Sequence, residues 1–229
     1  MRLGIVIPTW NESKGIQKLV SELKEELANL KELSLFIFVI DDLSKDKTGQ
    51  VAKELGCIVP YHNKKLGFGK SLYEGLCLAW YTFDCDYVME MDADHPVKEI
   101  KKFLKKKRTN LKSVVVGYEK SKWKFPRTVA VFLVRRILRF KELRHPTCGF
   151  ILWSKQTLEN IPWKHVKSRR DASHLELLFW AWRKSADFYE IEFSGHAGER
   201  HYGLGRIISW LISFMRLLRL RYLWSWRDF

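Results

Sequence analysis

The amino-acid sequence predicts an α/β fold built on a mainly parallel, doubly wound sheet flanked by helices. Three observations carry that expectation. Short continuous apolar runs alternate with longer segments in which apolar residues recur every three or four positions, the order expected of strands joined by crossover helices. The strand candidates are apolar throughout, as strands covered on both faces must be. Polar clusters follow the ends of those runs, at the edge where open α/β sheets bind ligands.

Taken in order, Leu3-Gly-Ile-Val-Ile7 reads as a buried strand ending at Pro8, and Ile16, Leu19, Val20, Leu23, Leu27 and Leu30 mark a helix among Lys and Glu. Leu35 to Ile40 is a second buried strand closed by Asp41-Asp42. A short helix over Asp46 to Leu55 and a third strand over Cys57 to Pro60 follow, then a helix from Gly69 to Thr82. Tyr87-Val-Met-Glu-Met91 is a strand ending in Asp92-Ala-Asp94, succeeded by a helix over Val97 to Lys107 and a strand over Ser113 to Val116.

After Gly117 the character changes. Lys120 to Arg127 is a basic loop containing Trp123. Thr128 to Phe140 is helical in period, with Arg135, Arg136 and Arg139 on one arc and apolar residues on the rest. A short strand over Phe150 to Trp153, a helix over Ala172 to Lys184 and a strand over Phe188 to Phe193 complete the pattern. From Arg206 to Leu223 a further helical stretch, about 26 Å long if helical, sets Arg206, Ser209, Ser213 and Arg216 opposite a broad apolar face. Arg219 and Arg221 flank that face, and Trp224 and Trp226 follow it. A cationic helix with these features suits a membrane interface; the other reading is a terminal helix packed on the domain.

The chain has 229 residues, enough for one well-packed domain with a small appendage. The formal net charge of +15 points to anionic partners. Four cysteines without C-x-x-C spacing argue against a zinc site or disulfide framework. The polar residues from Asn11 onward follow too soon for a signal peptide, and no stretch reaches the ~20 apolar residues of a membrane span. A peripheral position on the cytoplasmic face of a membrane is the resulting expectation.

Asp92-Ala-Asp94 is the sharpest local signal. Two carboxylates at this spacing after a buried strand can converge on a Mg²⁺ or Mn²⁺ ion whose shell substrate phosphates complete; solvated loop acids give the same pattern. Asp41-Asp42 either caps the following helix or accepts hydrogen bonds from a ribose or base. Gly67-Phe-Gly-Lys-Ser71 fails as a phosphate-binding P-loop because Lys64 stands where its first glycine belongs.

Four segments occur in order: Ile7-Pro-Thr-Trp-Asn-Glu12, Val39-Ile-Asp-Asp-Leu-Ser44, Lys65-Leu-Gly-Phe-Gly69 and Met91-Asp-Ala-Asp94. Pro146-Thr-Cys-Gly-Phe150 and Ala197-Gly-Glu199 come later. The set resembles the polyprenyl (dolichyl) phosphate mannosyltransferase and glucosyltransferase group of the inverting GT-A-fold glycosyltransferases, over nearly the whole chain. The resemblance implies that Pro8, Thr9, Asn11, Glu12, Asp41, Asp42, Lys65, Asp92 and Ala93 line the donor-nucleotide pocket. It implies that Asp92 and Asp94 hold a divalent ion, with His95 a candidate third contact. Arg127, Arg135, Arg136, Glu176, Arg200 and His201 then fall on the side of the acceptor phosphate, with Arg127 counted beside Asp92 and Asp94 among the catalytic residues. This chain departs from the group where His95 follows Asp94 directly, where His145 stands for an Asp, and where Gly198-Glu-Arg-His201 lacks a Ser-Lys pair.

The expected organisation is a nucleotide-sugar-binding half over 1–117, an acceptor-binding half over 118–202 and an amphipathic membrane-association segment over 203–229. The expected activity is transfer of a hexose from a GDP- or UDP-sugar to a polyprenyl or dolichyl phosphate at an anionic membrane surface, with Mg²⁺ or Mn²⁺. An anionic acceptor oxygen needs no strong general base. The alternatives are a soluble transferase using Glu176 or Asp171 as base on a glycan or protein hydroxyl, a degenerate transferase, and a non-enzymatic basic binding protein. No nucleic-acid partner is expected, since acidic loops at the strand ends would repel a phosphate backbone.

Overall fold

Alternate residues of the first apolar run bury on opposite sides of a sheet. Leu3, Ile5 and Ile7 enter one apolar cluster and Val6 the other, all without solvent exposure. The structure is a computed structural model that describes residues 1–107, 111–119, 131–136, 143–168 and 173–194, with Met215, Leu218 and Arg219. Its strands are β1 (Arg2–Thr9), β2 (Ser34–Asp41), β3 (Tyr87–Glu90), β4 (Ser113–Glu119), β5 (Ile151–Ser154) and β6 (Asp187–Phe193), in the order β2-β1-β3-β5-β4-β6. β1 runs parallel to β2 and β3, and β4 parallel to β6. β5 is antiparallel to both of its neighbours, β3 and β4. The predicted mainly parallel sheet is therefore present, with one reversed strand that joins the second half of the chain to the first.

Helices cover both faces. α1 (Ser13–Leu27) buries Ile16, Leu19, Val20, Leu23 and Leu27, the stripe expected of a helix with one side on a sheet. α2 (Thr48–Glu54) packs beside α1. α3 (Phe68–Cys77) covers the opposite face, and Gly75 sets its closest approach: a methyl there would lie 2.4 Å from Val6 Cγ1 and 2.8 Å from Ile40 Cγ1. α4 (Ile100–Lys106) lies on the α1 side, where Ile100, Phe103 and Leu104 join its cluster. α5 (Lys155–Asn160) and α6 (Ser173–Arg183) complete the α3 side, with Leu158, Leu175, Leu177 and Leu178 in that cluster.

Three local expectations are corrected. The strand predicted over Cys57 to Pro60 shrinks to one parallel bridge, Ile58 to Phe38, because a strand this short meets Pro60, which has no N–H to extend a ladder. The helix predicted over Gly69 to Thr82 divides: α3 ends at Cys77 and Leu78–Thr82 wind as a wider π-turn, with Phe83 N–H on Leu78 O at 2.9 Å. The helix predicted over Val97 to Lys107 begins as a 3₁₀ turn, Val97–Glu99, before α4. α5 carried no periodic signal in its six residues; its start is fixed by Ser154, whose side chain accepts the Thr157 N–H at 3.3 Å.

Residues 131–136 of the predicted 128–140 helix are helical, with Val131 and Val134 buried and Phe132, Leu133, Arg135 and Arg136 outward. Of the predicted 206–223 helix, Met215, Leu218 and Arg219 are described and are helical. Among the described residues, no helix is long and apolar enough to cross a membrane.

Candidate active site

The carboxyl ends of β1, β2 and β3 deliver three loops to one edge of the sheet. The first two are stitched together. Asn11 has positive φ (56°), and its N–H donates to Ser44 Oγ at 2.8 Å while its Oδ1 accepts the Lys45 N–H at 2.8 Å. Glu12 N–H donates to Thr48 Oγ1 at 2.9 Å and Ser13 N–H to Asp46 Oδ2 at 3.0 Å. Thr9 is buried, and its carbonyl accepts the Asp42 N–H at 2.9 Å. Pro8 pairs in register with Ile40 and Thr9 with Asp41. The predicted nucleotide residues Pro8, Thr9, Asn11, Asp41 and Asp42 thus form one hydrogen-bonded platform.

The two aspartates after β2 divide their work. Asp41 receives the Ser44 hydroxyl and its carboxylate lies under Gly49, where a methyl would meet Oδ2 at 2.9 Å. Asp42 accepts the N–H of Leu66 at 2.5 Å and of Gly67 at 3.1 Å, one on each oxygen, and so holds the loop that opens α3. Lys65, next in that loop, sets its ammonium 4.0 Å from the centre of the half-exposed Trp10 ring. Sequence reasoning missed His62. Its ring nitrogens lie 3.1 Å from Asp41 O and 2.9 Å from Glu74 Oε2, bracing the platform against α3 from behind. Asp46 is held down to about 2 by the Ser13 N–H and then by the Thr48 hydroxyl.

The third loop supplies the metal-ligand candidates. Asp92, Asp94 and His95 each offer one ligand atom, all within 4.8 Å of one another. Ala93 of this loop approaches α1: a methyl on Gly15 would lie 3.9 Å from its Cβ. Partial loss of water around it raises the Glu12 carboxyl, and the negative charges of Asp92, Asp94 and Asp46 raise it further. The accumulated negative charge and the hard oxygen donors fit Mg²⁺ or Mn²⁺.

Beneath this loop lies a group that the sequence reading passed over. Glu90, at the end of β3, is 1 % exposed and accepts the Trp153 indole N–H at 3.2 Å on one oxygen. Burial pushes its carboxyl well above the usual range; the indole bond opposes this and Asp92 adds to it. The only sequence signal was a single acid inside the apolar run Tyr87 to Met91. Gly149 lies alongside: a methyl there would sit 3.7 Å from Glu90 Oε1 and 4.0 Å from Asp92 Oδ2. The Pro146–Phe150 segment therefore lies against the aspartate loop.

The residues predicted for the acceptor side separate. Glu190 of β6 accepts the N–H groups of Arg144 and His145 at 2.5 and 3.0 Å, and the Arg135 charge reaches it. Arg135 thus lies on the side of the segment that leads into Pro146–Phe150. Arg136 is exposed beside it on the helical turn. Glu176 has no solvent exposure, and its carboxylate accepts the N–H groups of Lys167 (3.0 Å) and Ser168 (2.6 Å). It ties down the 167–168 loop rather than presenting a carboxylate to solvent. Arg127, Asp171, Arg200 and His201 lie outside the described residues.

Residues 4–152 match the family described as Glycosyl transferase family 2. The chain is 27% identical over 176 residues to a dolichol-phosphate mannosyltransferase of Pyrococcus furiosus, covering 70% of this chain and 48% of that protein. It is 35% identical over 97 residues to a glucosyl-3-phosphoglycerate synthase of Petrotoga mobilis, covering 41% of this chain and 30% of that protein. The chain thus spans about half or less of the length of these curated relatives. Among solved structures, the glucosyl-3-phosphoglycerate synthase of Mycobacterium tuberculosis in complex with Mn²⁺, uridine diphosphate and glucosyl-3-phosphoglycerate superposes with a TM-score of 0.73 at 17% identity, over 96% of this chain and 79% of that one. That likeness speaks for the fold.

Proposed function

Because this chain belongs to glycosyl transferase family 2 and has its GT-A fold, we propose that it transfers a hexose from a nucleoside-diphosphate sugar to a polyprenyl or dolichyl phosphate. The observation that carries the proposal is what meets at one sheet edge: the two-loop Asn11–Thr48 platform, the Asp92–Asp94 turn and the Pro146–Phe150 segment. The platform binds the nucleoside, with Asp41 as the acceptor for base or ribose, while Asp42 and His62 hold the platform in shape. Asp92 and Asp94 would hold Mg²⁺ or Mn²⁺, which would supply positive charge against the diphosphate leaving group.

Transfer is a single in-line displacement. An acceptor phosphate oxygen forms the bond to the anomeric carbon as the bond to the diphosphate oxygen breaks, and the anomeric configuration inverts. The nucleophile is already anionic, so no general base is required. Arg135 and Arg136, with Arg127, Arg200 and His201, supply positive charge for the acceptor phosphate. Holding both reactants in line is the main contribution of the protein.

The dolichol-phosphate mannosyltransferase relative supports the lipid acceptor, as do outward Phe132 and Leu133 beside Arg135 and Arg136. These residues and the helix expected over 206–223 bring the mouth of the site to an anionic membrane surface. The Petrotoga mobilis relative favours a second reading, in which the acceptor is a small soluble phosphorylated acid such as 3-phosphoglycerate.

Thermal-shift titration with GDP- and UDP-sugars and Mn²⁺ or Mg²⁺ identifies the donor. The best donor is then offered to polyprenyl phosphate in detergent, to 3-phosphoglycerate and to a neutral glycan. Sugar transfer to the polyprenyl phosphate is the expected result; transfer to 3-phosphoglycerate alone would replace the first reading with the second. Asp94→Asn should lower kcat by about 10²–10³-fold, the scale of losing one charge-stabilising contact at a transition state.

A further inference from the structure

His95 stands beside Asp92 and Asp94 as a possible third ligand, but its hydrogen bonds give it a different task. The Asp92 N–H donates to His95 Nδ1 at 2.7 Å. The His95 N–H donates in turn to Asp92 O at 3.2 Å. A four-residue turn is thereby closed twice, once through the main chain and once through the imidazole. The ring is 4 % exposed, stacked on Phe150 at 4.7 Å between centroids and edge-on to Phe193 at 6.0 Å. It cannot swing toward a new partner without opening these apolar contacts.

A neutral imidazole has one nitrogen lone pair to give. Here Nδ1 gives it to the Asp92 N–H, which leaves the ring proton on Nε2. Ligation through either nitrogen would require breaking that bond or removing the Nε2 proton. We infer that His95 is a positioning residue, not a metal ligand: it staples the turn that aims the Asp92 and Asp94 carboxylates at the ion, and this loop offers the ion oxygen atoms only. The assignment rests on the metal-dependent reading of the site. Mg²⁺ and Mn²⁺, which favour oxygen ligands, suit such a loop.

The test uses Mn²⁺, alone and with UDP, on the full chain. Electron spin-echo modulation, read with ¹⁵N-histidine labelling, should show no bound histidine nitrogen in the wild type that is missing from His95→Asn. Asn Oδ1 lies the same number of bonds from Cα as His Nδ1, so His95→Asn keeps the acceptor and should bind Mn²⁺ within about threefold of wild type. His95→Phe keeps the ring packing but loses the acceptor, and should weaken Mn²⁺ binding at least about tenfold, as outer-shell losses do. A bound histidine nitrogen that is present in the wild type and lost in His95→Asn, or a folded His95→Asn protein as weak as His95→Phe, overturns the inference. Absence of Mn²⁺ uptake by the wild type, with and without UDP, is a separate outcome that overturns the metal reading and this inference with it.

Discussion

Asp42 looks in sequence like a ligand-binding acid, yet both of its oxygens are engaged by the main chain at Leu66 and Gly67. Asp42→Ala leaves two amide donors without their acceptor, which should cost about 1–3 kcal/mol and raise the donor KM as the Lys65 loop drifts; chemical denaturation and donor titration check the two effects. Glu90 gives a pH prediction. Its folded-state carboxyl is raised, so the folded chain holds that proton more tightly than the unfolded one. Stability is therefore lost as pH rises from the ordinary value of 4.5 toward the raised folded value. Glu90→Gln cannot ionise and keeps an oxygen for the Trp153 indole. The melting temperature of the variant minus that of wild type, measured in chelator, should increase from pH 5 to pH 8; a constant difference would refute the assignment.

Elements that the sequence revealed are those whose burial is periodic and long. The stripe of α1 and the apolar run of β1 predicted their faces before any packing was known, because one helix side and both strand sides must be covered. The Cys57–Pro60 segment and the Leu78–Thr82 turn escaped that logic, since an apolar run cut short by Pro60 forms only one bridge and a widened turn arises from how neighbours dock. The site divides in the same way. Asp92 and Asp94 were legible as metal-ligand candidates from their place after a buried strand, whereas the hydrogen bonds of Asp42, Glu176 and His95 depend on amides brought close only by folding. Gly75 shows the same dependence. A methyl there overlaps Val6 and Ile40, so Gly75→Ala should lower the unfolding free energy by about 1–3 kcal/mol by forcing α3 off the sheet, as urea titration would detect.

For the whole molecule, the net charge of +15 and the outward Phe132 and Leu133 predict adsorption to vesicles containing anionic lipid. Sedimentation with such vesicles should weaken as salt rises and fall on deletion of residues 204–229; unchanged partitioning of the deletion protein would refute the anchoring role of that segment. The reversed strand β5 has a consequence of its own for how a fold of this kind can diversify. Running against β3, it starts at the edge where β3 stops, so a segment some sixty positions downstream arrives next to the aspartates without any long excursion. Its spacing from them is set by ladder rungs, not by loop length. Residues before Pro146 can thus be lengthened, shortened or recharged to suit a different recipient while the distance from Gly149 to Asp92 stays constant, whereas one residue inserted within the strand would turn Trp153 away from Glu90 and spoil both halves together.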